Sequence, residues 1–141
     1  MIRKLSILAV IAVIAAPSLS WAGDPARDSI LADYAAQAGK ADAAFSTFSV
    51  KRGETLFRTK WASGDPRTPS CTSCHTDNPR NTGQNAKTGR PIDPVAVSVN
   101  ASRFTNRDDV EKQFGRDCKS VLGRACTALE KGDYITFMAG Q

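Results

Sequence analysis

Two cysteines three apart with a histidine directly after them, Cys71-Thr72-Ser73-Cys74-His75, constrain this chain more than any other feature of its 141 residues. The spacing is that of a c-type haem attachment site. Two thiols at i and i+3 can add across the two vinyl groups of one porphyrin, and the next residue then presents its imidazole to the iron. Cys71 and Cys74 are therefore read as the covalent anchors of one haem c, and His75 as the proximal iron ligand. The rest of the chain is expected to wrap that cofactor.

The competing readings of a C-x-x-C pair are a thioredoxin-like redox couple and half of a zinc site. A zinc ribbon needs a second ligand pair, and the composition supplies none. His75 is the only histidine, and the other two cysteines, Cys118 and Cys126, stand eight apart. In an oxidising compartment those two, bracketing Gly123, most simply close a structural disulfide; a redox-active bridge is the alternative.

Residues 1–22 read as a secretory signal peptide: Arg3 and Lys4 at the start, an apolar run from Leu5 to Ala16, and Ser20-Trp21-Ala22 as a small-residue cleavage site. The run is too short to span a bilayer, so no stable membrane insertion is expected after cleavage. This predicts a periplasmic protein with one small monohaem cytochrome c domain over residues 23–141. The formal charge of +5 falls by two with Arg3 and Lys4. No basic run with interleaved aromatics is present, which argues against a nucleic-acid partner.

Along the mature chain, Asp24-Pro25 supplies an N-cap and first helical position, with Gly39 as the stop. A second helix is predicted from near Ser49, carrying Gly53, Leu56, Phe57 and Trp61 on or near one face. Gly64, Pro66 and Pro69 break it ahead of the haem motif. From Asp77 to Asn100 the chain is rich in Asn, Gly, Thr and Pro, as suits a loop draped over a cofactor. Within it, Pro91-Ile92-Asp93-Pro94 is the expected source of a carbonyl accepting from the His75 ring, a plain turn being the alternative. Thr105 and Asp108 predict a capping box for a third helix, and Thr127 with Glu130 one for the last, which should cross the Gly53 and Phe57 face.

The sixth iron position decides function, and here the residues leave alternatives. Met138, the one methionine outside the signal peptide, lies in an apolar helical stripe and reads more naturally as core. Lys112 and Lys119 are surface lysines long enough to reach an iron. Asp117 is the stronger candidate. Val110, Phe114, Asp117 and Val121 follow helical steps, which would place a carboxylate in a buried stripe where ferric haem could offset its charge. Arg116 or Arg124 could instead pair with it and make it a distal-pocket residue.

The run Cys71 to Pro79, then Thr88-Gly89, Arg103-Phe104-Thr105, Val110-Glu111-Lys112, Gly115-Arg116-Asp117-Cys118, Ser120 to Gly123, Cys126 and Glu130-Lys131 resembles the sphaeroides haem protein family. Its bis-histidine relative, cytochrome c double-prime, is similar to the chain in the same pattern. The resemblance runs from about Asp28 to the C-terminus. It implies an all-α, class I-like cytochrome c fold with an additional N-terminal helix, a Cys118 to Cys126 disulfide, and a distal ligand just before Cys118. It also implies that this ligand detaches on reduction and that the ferrous iron then binds oxygen, nitric oxide or carbon monoxide. A diheme cytochrome c would be the electron donor. The family places asparagine or histidine where this sequence has Asp117. The leading reading is therefore a redox-linked ligand-binding cytochrome; a plain electron carrier and a reductase of oxygen or nitrogen oxides are the alternatives.

Overall fold

Helix capping sets the frame of this structure, a computed structural model that describes residues 23–141. The signal-peptide reading falls on residues 1–22 and lies outside them. Helix α1 (Pro25–Ala41) opens as expected, the Asp24 carboxylate accepting from the Ala26 N–H at 2.9 Å. It runs two residues past Gly39. Asp42 ends it, its backbone N–H reaching the Ala38 carbonyl and its side chain accepting from Ala44 N–H, which turns the chain away.

Helix α2 (Val50–Arg58) is capped by Ser49, and α5 (Ala128–Ala139) carries the full Thr127 and Glu130 capping box. Trp61, placed by its spacing on α2, lies beyond it: its N–H bonds the Pro69 carbonyl at 2.7 Å and so belongs to the turn entering the haem motif. Helix α4 (Arg107–Leu122) starts one residue later than Thr105 predicts. Asn106 takes the capping role, its side chain accepting from Asp109 N–H at 3.1 Å, while the Thr105 hydroxyl donates to the Ser102 carbonyl. Between the motif and α4 the chain is irregular except for two paired dipeptides, β1 (Gly83–Gln84) and β2 (Pro91–Ile92), which the composition did not predict.

The core forms where α5 packs across α2 and α1. Gly53 permits the first contact, because a Cβ there would overlap the Asp133 carbonyl of α5. Phe57 then fills the crossing, fully buried, with its ring 6.2 Å from that of Tyr134 and 5.8 Å from that of Phe137. Asp133 itself is buried but fully answered: Arg52 donates through Nε (2.6 Å) and Nη2 (2.9 Å), and Ser49 N–H adds a third bond at 2.7 Å. Glu111 of α4 draws in the other two helices, accepting from the Tyr34 hydroxyl of α1 and the Lys131 ammonium of α5. Burial, reinforced by that carboxylate, holds the Tyr34 phenol far above its ordinary value, so it remains the donor.

Two irregular segments are held by arginine. Arg27, buried on α1, donates to the carbonyls of Ala101 (2.6 Å) and Arg103 (3.1 and 3.0 Å). Arg103 in turn donates to the carbonyls of Asp93 and Pro94, each at 3.1 Å. No helix among the described residues is long and apolar enough to cross a membrane.

Candidate haem site

The motif closes into a single helical turn, α3 (Thr72–His75), with the His75 N–H bonded to the Cys71 carbonyl at 3.1 Å. One turn puts positions i, i+3 and i+4 on one side. Cys71, Cys74 and His75 hold those positions, and all three line one cavity of about 370 Å³. The turn is fixed from below by a hydroxyl cluster: buried Ser70 bonds the hydroxyls of Thr72 (2.7 Å) and Ser73 (3.2 Å). From the other side β1 lies so close that a Cβ on Gly83 would overlap the Cys74 carbonyl.

Burial pushes the His75 ring down to about 4, leaving it neutral at physiological pH, the form in which imidazole binds a metal. Burial likewise pushes the Cys71 thiol up to about 12. The remaining walls are mostly apolar and come from the helices and the loop: Leu56 of α2, Ile92, Phe104, Val110 and Val121. A pocket with both thiols and a neutral imidazole on one turn, facing apolar walls, fits a covalently held porphyrin.

The expected carbonyl for the His75 ring is not supplied by the Pro91 to Pro94 segment. The Asp93 and Pro94 carbonyls accept from Arg103, and the Asn100 amide adds a second bond to Pro94. Asp117 does line the cavity, but it is not the buried, unpartnered carboxylate that its helical spacing implied. Its side chain is 46 % exposed and Arg116 grips both oxygens, Nε to Oδ1 at 2.6 Å and Nη2 to Oδ2 at 3.1 Å. The arginine reading of Asp117 thus describes its contacts, and it stands in the cavity wall as an ion-paired residue. Met138 is fully buried in the core and does not line the cavity.

Cys118 and Cys126 form the expected disulfide, with Cα atoms 5.6 Å apart, and both face the same cavity. Replacing both with serine is expected to cost about 2–3 kcal/mol, the chain-entropy value for so short a loop. Urea unfolding of the oxidised protein and the variant checks this; equal midpoints would remove the structural role.

A family profile described as a domain of unknown function, DUF1924, matches residues 43–138. The cytochrome c-type protein SHP of Cereibacter sphaeroides is 43 % identical over 130 residues, covering 92 % of this chain and 94 % of that protein. The chain belongs to the SHP family of cytochromes c. Cytochrome c'' of Methylophilus methylotrophus is a more distant relative of this SHP-family protein, 36 % identical over 105 residues, 74 % of this chain and 73 % of that one. The solved structure of oxidised SHP, described as an oxygen-binding cytochrome c, superposes with a TM-score of 0.75 at 40 % identity, over 84 % of this chain and all of that one. The all-α cytochrome fold follows, with α1 preceding the part of the chain that the family profile matches.

Sequence reading missed three wall residues of the SHP-family site. Arg90 and Arg103 bring cations to it, and Tyr134 a hydroxyl. Arg103 and Phe104 were visible only as part of a family pattern. Phe104 adopts φ +61°, a conformation costing on the order of 1–3 kcal/mol for a bulky residue and retained only where its surroundings enforce it. Here its ring packs edge-on against Tyr134, 6.1 Å between centroids.

Proposed function

We propose that this SHP-family protein is an exported, periplasmic monohaem cytochrome with a labile or absent sixth ligand and redox-linked binding of oxygen, nitric oxide or carbon monoxide. Its haem would be bonded to Cys71 and Cys74 and ligated by His75, and would supply a redox-active iron able to hold a diatomic ligand when ferrous. A diheme cytochrome c fits the role of electron donor. The observation that carries this reading is the wall of the cavity. Among the described residues it offers no methionine, no lysine and no second histidine, and Asp117, at the position of the family's ligand, is already gripped by Arg116. The oxygen binding of SHP supports the same reading.

The chain's residues would divide the work. His75 enters as a neutral donor because of burial, and the apolar walls keep water from competing for the open face. The Arg116 and Asp117 pair contributes a polar edge with little net charge. Dithionite-reduced protein exposed to carbon monoxide is expected to show a shifted Soret band. An unchanged spectrum would favour the plain electron carrier.

A further inference from the structure

Several polar side chains in the cavity wall have no hydrogen-bond partner among the described residues, and one of them, Tyr134, is also buried. Tyr134, on α5, is 8 % exposed and lines the cavity, yet no side chain or backbone group among the described residues hydrogen-bonds its hydroxyl. The other tyrosine, Tyr34, is buried too, and its hydroxyl is answered by Glu111. Phe57 at 6.2 Å, Phe104 at 6.1 Å and Phe114 at 5.5 Å hold the Tyr134 ring between centroids, the last two edge-on. The ring is therefore fixed, and the hydroxyl it carries is left to the cavity rather than to a partner in the chain.

The charged and sulfur groups that the phenol senses, Cys71, Arg103 and Asp117, are all wall residues of this cavity. Burial keeps the phenol protonated, so what it presents to the interior is a donor. We propose that the Tyr134 hydroxyl is the hydrogen-bond donor to a small ligand held in the cavity, selecting diatomics with a polarised terminal oxygen, above all dioxygen, over carbon monoxide. The inference rests on the reading that a diatomic ligand enters this cavity. Its physical basis is that dioxygen on ferrous haem draws negative charge onto its outer atom, which a fixed donor stabilises, whereas carbon monoxide draws little.

The test uses the reduced holoprotein and Tyr134→Phe, which removes only the hydroxyl. Carbon monoxide binding to the unaltered protein comes first; its failure would defeat the ligand-binding reading and the donor role with it. Given that binding, Tyr134→Phe is expected to speed oxygen dissociation about tenfold, the equivalent of one neutral hydrogen bond, and to change carbon monoxide dissociation by less than about twofold. The C–O stretching frequency of the carbon monoxide complex should also move. Equal effects on both gases, or none, would overturn the proposal. So would unchanged oxygen dissociation with a shifted midpoint potential, which would assign the hydroxyl to the haem edge. If the variant does not accumulate, the vibrational spectrum of the oxygen complex of the unaltered protein in H2O and D2O decides: a missing isotope shift rules the donor out.

Discussion

A protein with serine at both Cys71 and Cys74 is expected to release its haem into acidified solvent and to lose most of its folded fraction. The reason lies in what the cavity walls are made of. Leu56, Phe104, Val110, Val121 and Tyr134 come from α2, α4, α5 and the loop between, and all present apolar surface to the same space. Each such side chain gains about 1.5–3 kcal/mol when covered. Uncovering two or three of them removes as much as the 5–15 kcal/mol that stabilises an ordinary domain can spare. A haem held there would thus be part of the core. Covalent attachment would matter because it keeps the cofactor from leaving these walls uncovered. Haem absorbance after acid–acetone extraction and far-UV dichroism measure the two effects. A double-serine protein that keeps its haem and its melting temperature would contradict the site assignment.

Gly53→Ala should destabilise the protein by about 3 kcal/mol or more and lower its melting temperature by roughly 10 °C. Helix propensity predicts the opposite sign, since alanine is favoured over glycine in a helix by about 1 kcal/mol. The crossing decides. A methyl at Gly53 meets the Asp133 backbone and the Phe137 Cβ, 2.8 Å away, and neither is the free end of a flexible side chain. The helices must part, and Phe57 loses its packing. Gly115 is the control, because nothing lies within 4 Å of a Cβ built on it. Gly115→Ala in α4 should stabilise by about 0.5–1 kcal/mol. Thermal unfolding of the two variants side by side tests both; stabilisation by each would mean that α2 and α5 do not cross at Gly53.

What the sequence made legible follows from the range of the interactions involved. Asp24, Ser49 and Thr127 announced their helices because a cap acts over two or three residues. The haem turn was legible for the same reason: covalent chemistry fixes its spacing. The crossing at Gly53 could also be read, because a glycine beside a large aromatic on one helical face has few other uses. The misreadings arose where two local signals competed or a distant group intervened. Thr105 was the expected cap, but its hydroxyl donates to the Ser102 carbonyl and the neighbouring Asn106 caps the helix instead. The Asp93 and Pro94 carbonyls were free in the sequence and claimed in space by Arg103. Asp117 fitted an apolar stripe by its spacing, and of the two readings the sequence left open its contacts follow the Arg116 pairing. Tyr134 is one of several large apolar or aromatic residues on α5, and its sequence context does not single it out. No pattern distinguishes a tyrosine that needs its hydroxyl from one that needs only its ring.

The arginine ties around the cavity are unevenly distributed, and so is its compliance. On one side, residues 93 to 103 have no regular secondary structure, yet buried Arg27 anchors them to α1 and Arg103 braces them internally. Local opening there would strip charged donors from carbonyls. On the other side, the turn from Asn85 to Arg90 is held to the body by the Lys87 to Asp65 ion pair at 3.0 Å, whose lysine is 44 % exposed. Such a pair contributes about 0–1 kcal/mol. The two walls should therefore differ in amide hydrogen exchange, slow on the Arg103 side and faster at the turn that Lys87 holds. Traffic of small molecules past the haem would be set by that softer turn.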